Sequence, residues 1–181
     1  MLEATKRVLL RDGYDDAKVT DVAEVAGVSP GSLYQYFPSL ESLVVALHVS
    51  LAEAEVAYLA DNLMEARDDE PRDVAAIIAL VSIRVRADDA DLYRALLEVA
   101  PRIGAARKLA PVHDEMRALL AGFLRSRREV TAPDPDVAAR IVCTSLRATI
   151  ESTLQHAPDT LATDTFAEEM RALVHGYLWR T

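Results

Sequence analysis

The sequence predicts an all-α fold in two parts, a three-helix N-terminal unit containing a helix-turn-helix and a larger C-terminal helical domain. Half of the 181 residues are apolar (51%), and the dominant alanine and leucine both favour helices. Apolar residues recur at helical spacing along most of the chain, and no strand pattern, internal repeat or low-complexity segment interrupts them. Third, short helix-breaking stretches that contain Gly, Pro or Asp separate these segments.

The first helix is predicted from Leu2 to Arg11. Ala4, Val8 and Leu9 are spaced to face inward, and Asp12-Gly13 is a typical helix end.

Two short helices joined by a tight turn are predicted between Val19 and Phe37. Gly27 ends the first of them, because a left-handed C-terminal residue costs glycine little. Ser29 can cap the second through its hydroxyl, and Pro30 suits a first turn, where no amide hydrogen is missed. The predicted spans are 19–26 and 30–37.

The second of these helices has a small, polar outer face. Leu33 and Phe37 are four residues apart and should face inward, with Tyr34 near the boundary. The residues left outside are Gly31, Ser32, Gln35 and Tyr36. Small residues allow close approach and hydroxyls reach phosphates, so this face suits a helix end pressed against DNA.

At these residues the chain resembles the TetR family of one-component transcriptional repressors. The match runs from about Leu2 to Val45 and is carried by Gly13-Tyr14, Thr20, Ala26-Gly27-Val28-Ser29 and Gly31-Ser32-Leu33-Tyr34-Gln35-Tyr36-Phe37. The resemblance implies that residues 1–47 form a helix-turn-helix DNA-binding domain. It also implies double-stranded DNA contacts from Thr20, Ser29, Pro30, Gly31, Ser32, Tyr34, Gln35 and Tyr36.

Two of these side chains have alternative roles. Thr20 can cap its helix, contact a phosphate, or do both. Gln35 can pair bidentately with adenine N6 and N7, or it can contact phosphate only.

Six further helices are predicted beyond Pro38-Ser39. Ser39 can cap the first of them, Asp68-Asp69-Glu70-Pro71 marks a boundary, and Asp134 or Asp136 can cap a later helix. We expect the helix that precedes Asp134 to be interrupted near Pro111 and to end around Arg128. The other predicted spans are about 40–67, 72–87, 89–99, 135–156 and 163–179.

Beyond Leu47 the resemblance is architectural and implies that residues 48–181 form a helical domain for effector binding and dimerisation. In the family, the last two helices of each subunit pair into a four-helix bundle. The expected homodimer interface is Ile141, Ser145, Ile150, Phe166, Val174 and Tyr177, and the expected effector pocket is Met64, Tyr93, Leu97, Met116, Phe123 and Thr149. These pocket residues favour an apolar or aromatic small molecule, and Arg84, Arg94 or Arg147 could pair with an acidic one.

Other classes of function find little support. No phosphate-binding glycine loop, nucleophile elbow or helical pair of zinc-binding histidines is present, so we expect no enzyme, metal site or cofactor. No run of about 18 apolar residues is free of charges, so no membrane helix is expected. The N-terminus has no signal-peptide pattern, and one cysteine, Cys143, fits an inert buried thiol in a cytoplasmic protein.

The acidic charge balance motivates an alternative function. The chain carries a net charge of -9, and residues 1–50 hold seven acids against four bases. Leu40 also stands where the family usually has a phosphate-contacting lysine. Family members often carry a basic arm before the first helix, so we expect either additional N-terminal residues or a native start other than Met1. Because cations supply most non-specific DNA affinity, the alternative is a helical protein-interaction module with weak or lost DNA binding.

Overall fold

A computed structural model describes residues 1–66 and 70–179, and these residues form nine α-helices and a short 3₁₀ helix, Pro158–Ala162. The α-helices are α1 Leu2–Asp16, α2 Val19–Ala26, α3 Pro30–Tyr36, α4 Leu40–Glu65, α5 Pro71–Ala87, α6 Ala90–Val99, α7 Ala105–Ser126, α8 Pro135–His156 and α9 Asp164–Leu178. No strand forms within the described ranges, and the predicted all-α class is confirmed. The predicted helix end at Arg67 and the Asp68-Asp69 part of the predicted boundary lie outside those residues.

The chain divides into two compact units. Unit 1 comprises Met1–Ala52 and Asp91–Pro111, and unit 2 comprises Glu53–Ala90 and Val112–Thr181. Two helices, α4 and α7, run without interruption from the residues of one unit into those of the other.

Unit 1 has two clusters of buried side chains. One joins α1, α2, α3 and α4 and consists of Ala4, Val8, Val19, Val22, Ala23, Leu33 and Leu43. The other joins α1 and α4 to the segment from α6 to the start of α7 and consists of Leu9, Val44, Leu47, Leu92, Leu96, Val99, Ile103, Ala105 and Leu109. Leu40 packs against both clusters, which gives this apolar residue a structural role at the start of α4.

Helix α1 is longer than predicted. Gly13 has a φ of 74°, so it kinks the helix where an end was expected, but the chain then makes another turn to Asp16. The N–H of Ala17 donates to the Gly13 carbonyl at 3.3 Å, which closes that turn. The predicted inward residues Ala4, Val8 and Leu9 are all buried.

In the helix-turn-helix, α2 has the predicted bounds, α3 ends one residue earlier than predicted, and the caps predicted at Gly27 and Ser29 form. Gly27 follows α2 with φ 68° and ψ 30°, and its N–H donates to the carbonyls of Ala23 and Glu24. Ser29 precedes α3, and its hydroxyl accepts a hydrogen bond from the Ser32 N–H at 3.1 Å. Each cap satisfies backbone groups that a helix end leaves without intrahelical partners.

Helix α4 begins as predicted but buries a different face in its second half. The Ser39 hydroxyl accepts from the Ser42 N–H at 3.1 Å and caps the helix. Helical spacing would continue the buried row of Leu43 and Leu47 through Ala54 and Tyr58, but both of these are exposed. The buried row in unit 2 is instead Glu55, Val56, Leu59 and Leu63, because α4 has different neighbours there.

By length and composition alone, α4 also meets the criterion for a membrane span, with a mean hydropathy of 1.6 in its most apolar window. This observation qualifies the sequence expectation but is weak evidence, because core helices of water-soluble proteins meet the same criterion.

Unit 2 is built around α5, which packs against α9 and α8. Because α5 has neighbours on two sides, it buries a broad face that consists of Val74, Ala75, Ile78, Ala79, Val81 and Ile83. Helix α7 is continuous through Pro111, contrary to the predicted interruption, although proline has no N–H to donate to the Arg107 carbonyl.

The caps of the last two helices were predicted in part. Asp134 caps α8 by accepting from the N–H groups of Asp136 and Val137 at 2.9 and 3.1 Å. The hydroxyl of Thr163 caps α9 by accepting from the Phe166 N–H at 3.2 Å. The 3₁₀ helix between them was not predicted from the sequence.

Replacing Gly27 with alanine should lower the free energy of unfolding by about 1–2 kcal/mol, because a Cβ in the left-handed conformation meets backbone atoms. Gly122, inside α7 with open space around its Cα, is the matched control. Gly122→Ala should raise stability by about 0.5–1 kcal/mol, since alanine favours a helix interior. Urea unfolding of both variants measures this; equal effects of the same sign would contradict the role of Gly27.

Candidate DNA-binding face and effector cavity

The outer face of α3 is wholly solvent-exposed. Tyr36 is 70% exposed and Tyr34 49%, so Tyr34 lies further out than the boundary position expected from the sequence. The other predicted DNA-contacting residues are also exposed: Thr20, Ser29, Pro30, Gly31, Ser32 and Gln35.

Buried residues hold this face in place. Leu33 has no exposed surface, and Phe37, half-buried at the end of α3, packs against the same cluster. At the other end, the hydroxyls of Ser29 and Ser32 lie 2.8 Å apart, joined by a hydrogen bond. The exposed hydroxyls and the Gln35 amide therefore project from a helix whose inner side is fixed.

Thr20 does not cap α2, which removes one of its two expected roles. The chain enters the helix at Lys18, whose N–H donates to the Asp21 carboxylate at 3.1 Å. Thr20 lies one residue into the helix with an exposed side chain, so its hydroxyl remains accessible from outside.

Cations near the helix-turn-helix are partly neutralised by neighbouring acids. The Arg11 guanidinium makes two hydrogen bonds to the Asp12 carboxylate, at 2.7 and 2.6 Å, and these hold the pKa of Asp12 below its usual value. Arg7 pairs with Glu3 at 3.6 Å. Net attraction of this segment to any polyanion is therefore small, and directional contacts gain in importance.

Unit 2 contains a cavity of about 50 Å³. Its walls come from α4, α5, α7 and α8, and the lining residues are Glu55, Leu59, Ile78, Ser82, Arg86, His113, Met116, Arg117, Leu120, Cys143, Thr144, Leu146 and Arg147. Of the six pocket residues expected from the sequence, Met116 alone is among them, and Arg147 is the one expected cation.

The other five expected pocket residues lie elsewhere. Tyr93 and Leu97 belong to α6 in unit 1, where Tyr93 is buried. Met64 is 70% exposed, and Thr149 is also exposed, because both lie outside the buried rows of their helices. Phe123 is half-buried beside Arg127, whose guanidinium lies 5.7 Å from the ring centroid. The bulky apolar residue type did not predict which residues line the cavity, because most residues of this type pack in the core.

A buried ion pair forms one wall of the cavity. The Glu55 carboxylate on α4 accepts hydrogen bonds from the Ser82 hydroxyl at 2.7 Å and from Arg86 at 2.8 Å, both on α5. Arg86 also donates to the Ser82 carbonyl at 3.1 Å. The two charged side chains are 7% and 11% exposed. Sequence reasoning missed this pair, although Glu55 precedes Leu59 and Leu63 in one helical row.

Two weakly ionising groups, His113 on α7 and Cys143 on α8, also line the cavity. Burial, with a further contribution from the Arg147 cation, lowers the pKa of His113, so its imidazole is neutral at pH 7. Burial raises the pKa of the Cys143 thiol to about 11. The thiol is therefore protonated and poorly nucleophilic at neutral pH, as expected for an inert cysteine.

The expected interface residues on α8 and α9 do not share one surface. Ile150 and Val174 have no exposed area and pack inside their own subunit. Ile141 is exposed, and Ser145, Phe166 and Tyr177 are half-buried. The apolar residues that these helices do expose also include Val137 and Leu173, which sequence reasoning did not select.

Two family models match the chain. Residues 1–47 match the model described as bacterial regulatory proteins, tetR family. Residues 71–178 match the model described as tetracyclin repressor-like, C-terminal domain. No curated protein sequence matches significantly.

Solved structures share the fold at low identity. A TetR transcription regulator from Haloarcula marismortui is 20% identical with a TM-score of 0.72, and the match covers 98% of this chain and 93% of that one. The fatty acid degradation regulator FadR from Bacillus halodurans is 18% identical (TM-score 0.71, coverage 97% and 92%). FadR from Bacillus subtilis, in complex with stearoyl-CoA, is 16% identical (TM-score 0.64, coverage 98% and 97%).

Arg86→Met should destabilise the protein by about 3–5 kcal/mol, because it leaves the buried Glu55 carboxylate without its cation. The double variant Glu55→Leu/Arg86→Met removes both charges and should recover most of that loss. Arg94→Met breaks the exposed pair with Asp91 and is the control, with an expected cost of at most about 1 kcal/mol. Urea unfolding measures all three, and an Arg86→Met effect as small as that of Arg94→Met would refute the role of the buried pair.

Proposed function

Because the chain belongs to the TetR family of DNA-binding transcriptional regulators, we propose that it acts as a homodimeric repressor that a small molecule releases from a palindromic operator. Regulators of this family bind DNA and small-molecule effectors. The outer face of α3 carries this proposal: its exposed hydroxyl and amide groups project from a helix held by the fully buried Leu33.

The roles of the α3 residues in this proposal follow from their chemistry. Gly31 and Ser32 allow the start of the helix to approach the duplex closely, and Thr20, Ser29, Pro30, Tyr34 and Tyr36 line the same approach. Hydroxyl groups suit phosphate contacts, whereas the Gln35 amide is the one side chain on this face suited to reading adenine. In a two-fold dimer the two recognition helices would reach major grooves about one turn, ~34 Å, apart.

The dimer is proposed to form through the outward faces of α8 and α9. Ile141, Leu173 and Val137 leave large apolar surfaces exposed in the single subunit, next to the half-buried Phe166 and Tyr177. Obligate homodimer interfaces commonly bury about 2,000 Å² or more and resemble a divided core. Ile150 and Val174 contribute to this surface only by supporting it from inside.

Release by an effector is proposed to begin at the cavity in unit 2. Its apolar lining suits an apolar or aromatic molecule, as expected from the sequence. Helix α4 supplies Glu55 and Leu59 to the cavity and is continuous with residues that pack in unit 1. A ligand that favours the low-affinity arrangement by about 1–3 kcal/mol would shift DNA binding appreciably.

The remaining parts of the proposal concern chemistry and location. Regulators of this family are generally not enzymes, and we propose that this chain likewise acts by binding, without a cofactor. A cytoplasmic location fits a protein whose partner is DNA. Helix α4 is proposed to be a core helix, supported by its buried ion pair with α5.

An alternative function is a helical protein-interaction module with weak DNA binding. It is favoured by the excess of acids in residues 1–50 and by the pairing of Arg7 and Arg11 with acids. The absence of salt-dependent binding to any duplex would support this alternative over the repressor.

Selection from random duplexes should enrich a palindrome. Tyr36→Phe should then weaken binding to all sequences similarly, because it removes a phosphate contact. Gln35→Ala should cost about 1–3 kcal/mol at one base pair if the amide reads a base, and should act uniformly if it contacts phosphate. Titration of fluorescent duplexes at fixed salt measures both variants.

Matched controls come from outside α3. Tyr58→Phe on α4 and Gln155→Ala on α8 alter exposed residues of the same types and should leave DNA affinity unchanged. A selection from random duplexes that enriched no palindrome would contradict the proposed operator.

Replacing Leu173 or Ile141 with aspartate should give folded monomers, because these side chains are exposed within the subunit and a charge there opposes only association. Val174→Asp should instead unfold the chain, since Val174 is completely buried. Sedimentation velocity at micromolar concentration, with circular dichroism of each variant, separates the two effects.

The control is Met64→Asp, which places the same charge at an exposed apolar residue on α4 and should leave the dimer intact. An unmodified protein that sediments as a monomer at micromolar concentration contradicts the proposed interface.

A further inference from the structure

The charged residues that line the cavity in unit 2 carry an excess of positive charge. Three arginines, Arg86, Arg117 and Arg147, face one carboxylate, Glu55. The chain as a whole has a net charge of -9, so the charged side chains of the lining have the opposite sign to the protein. This local excess of positive charge indicates the chemical class of the ligand. The inference rests on the effector-binding function proposed above.

Glu55 does not balance all three cations. Its Oε1 accepts from both the Ser82 hydroxyl and Arg86, so the charge of Glu55 is engaged by Arg86. Two cations, Arg117 and Arg147, are then left in the lining without a carboxylate from the lining itself.

Arg117 and Arg147 do have carboxylate partners, but these lie outside the lining. Arg117 bonds Asp114, and Arg147 bonds Glu151 at 3.2 Å, each one turn away on the same helix. Asp114 is 68% exposed, and the Arg147 pair is about one third exposed on both sides. Pairs of this kind contribute little free energy, so an anion in the cavity can compete with Asp114 and Glu151.

Both guanidinium groups act on the same part of the cavity. The thiol of Cys143, whose pKa is raised chiefly by burial, is influenced in the opposite direction by Arg117 and by Arg147. The pKa of His113 is lowered by burial first, and then by Arg147 and Arg117. His113 therefore adds no charge at pH 7, and the two cations reach the lining from different helices, α7 and α8.

The rest of the lining is mainly apolar: Leu59, Ile78, Met116, Leu120 and Leu146. Thr144 adds a hydroxyl that could orient a polar group. The cavity volume of about 50 Å³ favours a small molecule, and the flexible Met116 side chain can make room for a longer one.

We propose that the effector of this cavity is a small apolar molecule with a single acid group, bound with its anion between Arg117 and Arg147 and its body against the apolar wall. A bidentate guanidinium contact to a carboxylate is directional, so it fixes the orientation of the molecule as well as its sign.

Matched pairs of probes test the acid group. Isothermal titration of the full-length protein at low salt compares hexanoate with 1-hexanol, and benzoate with benzyl alcohol. The acids should bind about tenfold or more tightly than the alcohols, as expected for a charge-assisted hydrogen bond. Arg117→Gln and Arg147→Gln should each remove about this factor for the acids and leave the alcohols unchanged. Arg140→Gln, on the exposed side of α8 and outside the lining, should change neither.

Circular dichroism and melting of each variant verify folding. Because the two arginines lie on different helices, one variant suffices if the other does not fold, and Arg147→Lys should retain part of the preference for acids. Equal binding of acid and alcohol, no binding of either, or variants that bind the acids normally would overturn the proposal.

Duplex binding by the same samples separates this inference from the proposed function. A protein that binds its operator but shows no preference for acids refutes the acid-group inference alone. A protein that binds acids as expected but no duplex refutes the repressor and leaves the ligand class standing.

Discussion

A carboxylate buried between two helices sets the arrangement of unit 2. Glu55 lies in the row of α4 that also buries Leu59 and Leu63, where an unpaired charge would be very costly. Ser82 and Arg86, one turn apart on α5, satisfy it at 2.7 and 2.8 Å. These bonds are directional, so they fix one rotation of α4 about its axis relative to α5. Ala54 and Tyr58 are turned outward as a result.

The same pair determines the character of the cavity. Because Glu55 is held by Arg86, the positive charge of the other two lining arginines is not balanced within the wall. A different rotation of α4 would have placed Ala54 or Tyr58 in this wall and left the cavity without its buried acid. The orientation of α4 against α5 and the polarity of this cavity wall are therefore linked through one buried interaction.

In unit 1 the corresponding constraint is apolar. Leu33 and Leu43 are completely buried in one cluster, and Leu40 packs against both clusters of the unit. A lysine at position 40 could reach a phosphate, whereas the Leu40 side chain packs against apolar neighbours. In the proposed repressor, DNA recognition would therefore depend on hydroxyl, amide and backbone donors on α3 more than on cations, and affinity for non-specific DNA would be low.

The sequence by itself determined the family, the order of the nine α-helices in the described residues and several of their caps, but not the end of α1 or the continuity of α7. Gly27, Ser29, Ser39 and Asp134 were all predicted correctly, because a helix end is decided by residues within a few positions of each other. The outward face of α3 could be predicted for the same reason, since the short helix buries one row of side chains.

Only the tertiary structure decided which apolar rows face inward and which residues meet. Val174 and Leu173 are neighbours of similar type, yet one is fully buried and the other exposed, because α9 packs on α5 along one row. The cavity unites positions from Glu55 to Arg147 that are distant in the chain, and its polar residues carry no local signal. Of the six residues expected to line the cavity, only Met116 does so; the other five are Met64, Tyr93, Leu97, Phe123 and Thr149. Side-chain type does not encode the rotation of one helix against another.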